Sequence, residues 1–268
     1  MDILRKSLAP ITADAWSEIN EEADRTLRGN LSARSLVDFD GPHGLELGAI
    51  NLGRVALKES EPVSGVKWGL RQVRPLVEVR VPFQLSLSDL DDVSRGAKAP
   101  ELDPVAAAAR KTAIFEENTL YNGFGEGDIK GILESTSHKA IQLGPEVGDY
   151  AENFQQATGA LQGAGIGGPY ALVLGSEPYK KLMAGDKSGY PIRRRAESMF
   201  EGGIKWSPAL EGGAVVSTRG GDYEMTVGLD LSIGYKFLEG DTLELYFTES
   251  FTFQVLEPAA AVGLKPVG

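Results

Sequence analysis

Residues Leu161 to Leu174 read LQGAGIGGPYALVL and set Gly163, Gly165 and Gly168 at the spacing G-x-G-x-x-G. The order of elements around these glycines decides between two kinds of fold. A dinucleotide-binding unit needs a strand before the first glycine and a helix after the third, because the pyrophosphate rests on amides at the helix N-terminus. Here the order is inverted. Tyr150, Phe154, Ala157 and Leu161 share one helical face ahead of the glycines, whereas Pro169 and the apolar run from Tyr170 to Leu174 follow them as a strand. The glycines therefore read as a helix C-terminus and a tight turn, where glycine accepts positive φ. A lone glycine motif carries little weight for a cofactor, and none is expected.

Outward from this stretch, Asp149 and Glu152 resemble a capping box for the preceding helix. SEPYKKLMAG and PIRRRAESMFEGG read as two short helices after the strand, and GGAVVSTRGGDYEMTVGLDLSIGY reads as strands. This middle part is an α/β unit. Near the N-terminus, Thr12 can cap a helix carrying Trp16, Ile19, Ala23 and Leu27 on one side, with Gly29 after the last of them. Residues 34–56 read as strands and turns, with a turn signal at Gly41-Pro42. Val77, Val79, Val81, Phe83, Leu85 and Leu87 alternate with polar residues in a long strand, in which Pro82 implies an edge, a bend or a bulge.

Asp103 and Pro104 read as an N-cap and first helical residue, and Gly123 closes a helix nearly 30 Å long at about 1.5 Å per residue. Alanines 106 to 109 suit close packing of that helix on a sheet. In the last long strand, Leu243, Leu245, Phe247, Phe251, Phe253 and Val255 alternate with polar residues around a polar interruption at Glu249. The fold class is α+β.

The 268 residues suffice for one large domain or two ordinary ones, and 42% hydrophobic with 24% charged residues is a globular composition. No segment has the apolar length of a signal peptide or a membrane span, so a cytoplasmic protein without a membrane partner is expected. The absence of cysteine excludes disulfides, thiolate metal sites and cysteine nucleophiles. A net charge of −11 disfavours a nucleic-acid partner.

Sequence tests for chemistry come out negative. No Walker sequence and no G-x-S-x-G elbow occurs, and His43 and His138 lack the paired spacing of a metal site. Carboxylates such as Glu116 and Glu117, or Asp89, Asp91 and Asp92, could serve acid-base chemistry, but solvated faces and caps account for them more simply. No catalytic, metal or cofactor site is expected.

Several blocks nevertheless form a recognisable set: ILRKSLAPITADAWSEINEEA, RSLVDFDGPHG, KWGLRQVRPLVEVRVPFQLSLSDLDDVSRG, GPYALVLG, RGGDYEMTVGLDLSIGY and FTESFTFQVLEP. In this order, from about residue 3 to residue 260, they resemble the encapsulins, shell proteins of bacteria and archaea with the tailed-phage (HK97-like) capsid fold. The resemblance implies a non-enzymatic subunit that assembles into an icosahedral nanocompartment. Its cargo would be a dye-decolourising peroxidase or a ferritin-like protein, held through a C-terminal targeting peptide. It further implies a peripheral domain of residues 1–46, 80–139 and 223–268, an extended two-stranded arm of residues 47–79, and an axial domain of residues 140–222.

By the same resemblance, the cargo peptide would dock against Leu27, Leu31, Arg34, Asp38, Asp230, Leu231, Ile233 and Tyr235. Apolar anchors with two charged groups suit an extended peptide; plain core residues with a local Arg34–Asp38 ion pair are the other reading. A fivefold pore loop would comprise Asp186, Lys187, Ser188, Gly189 and Tyr190, small and polar as a wet opening requires. Some relatives hold flavin near a tryptophan whose counterpart here is Ser88, so no flavin is expected. The alternatives are a tailed-phage major capsid protein of the same fold and, further off, a hydrolase.

Overall fold

The structure is a computed structural model that describes residues 3–184 and 189–266. Thr12 starts the first helix, its Oγ1 accepting the N–H of Ala15 at 3.2 Å. The helix α1 (Ala13–Asn30) buries Ala15, Ile19, Ala23 and Leu27, a four-residue repeat that keeps one stripe facing inward. That stripe lies against α3 (Asp103–Asn122), whose Val105, Ala108, Ala109 and Ala113 form the other side of the contact. Small residues here let two helices approach closely. The cap of α3 is Leu102 rather than Asp103, which becomes the first helical residue and donates its N–H to Glu101 Oε1 at 3.1 Å.

The first sheet gathers β1 (Asp38–Asp40), β4 (Val77–Ser86), β9 (Tyr223–Val227), β10 (Ser232–Glu239) and β11 (Thr242–Val255). The fourteen-residue β11 is its centre: β4 runs antiparallel along one side, while β10 and then β9 occupy the other. Because β4 pairs with nothing but β11, Pro82 sits on an edge, where its missing N–H costs no ladder bond. The polar alternation of β11 suggests one solvated face, yet both faces are buried. Thr248, Ser250 and Thr252 line the second face beneath neighbouring segments.

The second sheet has the order β5 (Ile141–Leu143), β12 (Ala261–Pro266), β8 (Gly213–Ser217), β6 (Tyr170–Leu174) and β7 (Ile204–Trp206). Around it pack α5 (Tyr150–Gly163), α6 (Ser176–Met183) and α7 (Gly189–Met199). Every residue of β6 is buried, as its unbroken apolar run requires. Between α5 and β6 the glycines behave as their order implies: the helix stops at Gly163, Gly165 turns the chain at φ 79°, and the strand begins at Tyr170. The capping box forms one turn earlier than Asp149 and Glu152, between Glu146 and Asp149. After Val255 the chain crosses from the first sheet to the second, so its last strand joins the α/β unit rather than the sheet of β9 to β11.

The third sheet is a ladder of two strands, β2 (Ala49–Lys58) and β3 (Trp68–Pro75), hydrogen-bonded to no other strand among the described residues. Its apolar side chains face outward, with Val55, Leu57, Leu70 and Val73 all exposed. Two shorter helices complete the description: α2 (Leu87–Ser94), capped by Ser86, and α4 (Ile132–Ser135).

Candidate functional site

Where α1 ends, a single turn of 3-10 helix (Ala33–Ser35) carries Arg34. A buried carboxylate on α3 fixes that turn. Glu117 Oε1 accepts the N–H groups of Ser32 and Ala33, each at 2.7 Å, and Oε2 accepts the hydroxyls of Ser32 and Ser207, each at 2.6 Å. Tyr121 completes the chain by donating its hydroxyl to Ser32 Oγ at 2.8 Å. Glu117 thereby ties the turn after α1, the long helix and the segment after β7 at one point. Burial pushes its carboxyl above the usual range, while the four donated hydrogen bonds hold it down.

With the turn anchored, the Arg34 side chain points into a second buried acidic cluster. Its Nε donates to Glu116 at 2.8 Å, its Nη1 to Asp230 at 2.7 Å, and its Nη2 to both Glu116 at 2.7 Å and Glu249 at 3.1 Å. Phe39 covers the guanidinium from one face, 5.4 Å from its ring centre. Burial alone would lower the Arg34 pKa, but Glu116, Glu249 and Asp230 outweigh it and hold the group above its ordinary value. Glu116 and Glu249 are fully buried, with a single cation between them. Burial, then the charge of Glu116, raises the Glu249 carboxyl well above the usual range, against the pull of Arg34.

The solvated faces expected for Glu116 and Glu117 are thus a misreading: both side chains are fully buried. Burial is possible because Glu117 accepts four hydrogen bonds and both oxygens of Glu116 accept from the Arg34 guanidinium. Asp89, Asp91 and Asp92 remain on the surface, as do His43 beside Asp40 and the half-buried His138 beside the Ala259 carbonyl.

A groove of about 480 Å³ opens over this cluster, lined by Asp24, Leu27, Arg28, Leu31, Arg34, Ser35, Asp230 and Leu231. It brings together five of the eight residues singled out in the sequence: Leu27, Leu31, Arg34, Asp230 and Leu231. The other three lie apart. Ile233 is a core residue packed with Phe247 and Leu245, and Tyr235 lines a separate depression with Arg80 and Tyr246. Asp38 is no partner of Arg34; its carboxylate accepts the Gly221 N–H at 2.6 Å and fixes the turn before β9. Sequence reading missed Glu116 and Glu249 as partners of Arg34. The interruption at Glu249 was their one visible signal, an acid standing on the apolar face of a strand.

Of the pore residues, Asp186, Lys187 and Ser188 lie outside the described residues, while Gly189 and Tyr190 open α7. Ser88 is held by Asp241, which accepts both its N–H and its hydroxyl. No cluster of metal-ligating side chains and no helix long and apolar enough to cross a membrane occurs among the described residues.

A twisted sheet crossed by a long helix, a second sheet flanked by helices and a two-stranded arm together recur in capsid subunits. A virus-like particle from Pyrococcus furiosus superposes over 92% of this chain with a TM-score of 0.65 at 18% identity. The protein from Mycobacterium phage Bobi does so over 90% with a TM-score of 0.57 at 15% identity. The fold is that of HK97-like capsid and shell subunits.

Within that class the sequence is more specific. The family described as encapsulating protein for peroxidase matches residues 1–252. A type 1 encapsulin shell protein from Rhodospirillum rubrum is 42% identical over 99% of this chain and 97% of the relative. Those of Rhodococcus erythropolis and Mycobacterium tuberculosis are 40% and 38% identical over 98% and 99% of this chain, and over 100% of each relative. The chain belongs to the type 1 encapsulin shell protein family. Its role is accordingly structural and not catalytic.

Proposed function

We propose that this chain assembles with copies of itself into a closed icosahedral shell and retains a cargo enzyme by binding an extended C-terminal tail in the groove beside α1. One observation carries the assembly. The β2–β3 ladder has no core of its own yet exposes Val55, Leu57, Leu70 and Val73, with Leu57 80% exposed. A lone two-stranded ladder is marginal in water, and an apolar face of this kind is covered in use. Neighbouring subunits supply the cover, with the ladder as the arm, the first sheet and α3 as the peripheral domain, and the unit around the second sheet as the axial domain.

The groove supports the cargo role. Leu27, Leu31 and Leu231 offer apolar anchors, and Asp24, Arg28 and Asp230 offer charges at the rim. Cargo of the dye-decolourising peroxidase or ferritin-like class fits the family, whose description names a peroxidase. Small substrates would reach it through openings among the axial domains.

The test is to isolate the particles from the source cells and identify what they contain by mass spectrometry. A peroxidase or ferritin-like protein inside wild-type shells, absent from intact shells of a Leu31→Asp, Leu231→Asp variant, is expected. Shells that contain no second protein, or a variant that loads as well as wild type, would refute the cargo groove. Ile233 is unsuitable for this test because a charge at a core position would report on folding.

A further inference from the structure

A second groove, of about 610 Å³, adjoins the first and shares Arg28, Leu31 and Ser35 with it. It runs around the turn after α1 to the α/β unit, where Tyr179 and Lys180 of α6 and Lys205 and Trp206 of β7 form its far wall. The two grooves differ in charge. The first is balanced, with Asp24 and Asp230 against Arg28 and Arg34, whereas the second has three cations, Arg28, Lys180 and Lys205, and no carboxylate among its lining residues. In a chain of net charge −11 such a cationic concavity stands out.

The cations are available to a ligand. Lys205 is half-buried and makes no ion pair among the described residues. Lys180 pairs at 3.3 Å only with the exposed Glu177, and Arg28 lies 3.8 Å from the exposed Asp24; such surface pairs are weak and yield to a better partner. Beside them Trp206 is held in place by its Nε1–H, donated to Ser176 Oγ at 3.1 Å, and Tyr179 lies in the same wall. Two aromatic side chains and two lysines in one wall suit a carboxylate flanked by an apolar or aromatic residue.

We infer that this second groove receives the acidic end of the same cargo tail: a carboxylate, from an Asp or Glu side chain or from the chain terminus, held by Lys180 and Lys205 with its neighbour laid on Tyr179 and Trp206. The inference rests on the tail-binding role of the first groove, and continuity between the two sets the direction of the tail. The apolar part of the tail lies on Leu27, Leu31 and Leu231 in the charge-balanced first groove, and its acidic end faces Lys180 and Lys205. Charge thus selects orientation where apolar anchors alone would accept either.

The experiment co-expresses the shell with a fluorescent protein fused to the last twenty or so residues of the cargo recovered from native particles, and reads fluorescence per purified shell. Lys180→Glu with Lys205→Glu should lower loading about tenfold, the loss of one good charge contact. Replacing the tail's acidic residues by Asn or Gln should lower wild-type loading likewise, and a tail in which they become Lys should restore loading of the K180E/K205E shell. A Gly-Ser extension after the last residue separates the two carboxylate sources, since it weakens loading only if the terminal carboxylate is the one held.

If wild-type shells load no fusion, the tail-binding role itself fails. If they do, and L31D/L231D abolishes loading while K180E/K205E and every tail change leave it unaltered, the second groove has no part in it. Loss of shells in K180E/K205E, with neutralised tails still loading fully into wild type, would assign the groove to a contact between copies and overturn the inference.

Discussion

Arg34 Nη2 lies 3.1 Å from Glu249 Oε2, across 215 positions of sequence. The contact joins the turn after α1 to the middle of β11, and through Glu116 it also reaches α3. Removing the guanidinium leaves two buried carboxyl groups without their cation. Arg34→Ala should cost about 3–5 kcal/mol, the usual penalty for breaking a buried pair. Arg34→Lys should recover only part of it, because an ammonium cannot serve Glu116, Asp230 and Glu249 together in the planar fork that Arg34 uses. Urea unfolding of the dissociated subunits measures both; an alanine variant as stable as wild type would contradict the arrangement.

The same cluster sets a pH dependence. The Glu249 carboxyl titrates well above its ordinary value of 4.5, through burial first and the charge of Glu116 second, against the pull of Arg34. A carboxyl raised by folding contributes stability that is full below its unfolded value and is lost as pH climbs through the folded one. Glu249→Gln carries no such titration. Above about pH 4.5 the wild type should therefore lose stability more steeply than the variant, with the gap widening upward. Unfolding free energies at a series of pH values give the slopes, and parallel curves for the two proteins would contradict a raised Glu249 carboxyl.

Glu117 makes a different kind of joint, accepting two backbone and two hydroxyl donors. Glu117→Ala should cost about 3–5 kcal/mol, since the Ser32 and Ala33 N–H groups lose their acceptor inside the protein. Glu117→Gln keeps one oxygen for the backbone pair, and the Ser32 and Ser207 hydroxyls can rotate to accept from the amide. Its cost should be nearer 1–2 kcal/mol. Equal losses in the two variants would show that charge, rather than the acceptor geometry, is what the site uses.

The arm lends itself to a test that separates folding from assembly. Leu57 and Leu70 are 80% and 55% exposed, so Leu57→Lys with Leu70→Lys should change subunit stability by no more than about 0.5 kcal/mol for each site. Shell formation, followed by size-exclusion chromatography, should nonetheless fail. Normal shells from this variant would show that the apolar face of the ladder is not an assembly contact.

Most of the fold was legible because the apolar repeats are regular. The four-residue spacing on α1, the glycines that stop α5 and the alternation along β4 all place elements by local rules, and the structure has them within a residue or two. What local rules could not place were the long-range polar joints. Glu116 and Glu117 look like surface residues of a helix until Arg34, Ser32 and Ser207 arrive from distant parts of the chain to satisfy them. The family resemblance sets Ile233 among the groove residues, whereas its side chain is buried in the core with Leu245 and Phe247, a distinction that alternation along β10 cannot make. The crossing of β12 into the second sheet likewise depends on its partners β5 and β8, paired with it across 45 or more positions, and has no local signature.

Negative-stain electron microscopy of the purified full-length protein tests the shell most directly. Closed particles of uniform diameter with icosahedral class averages are the expected result. Monomers or small open oligomers alone, across a range of salt and pH, would contradict it.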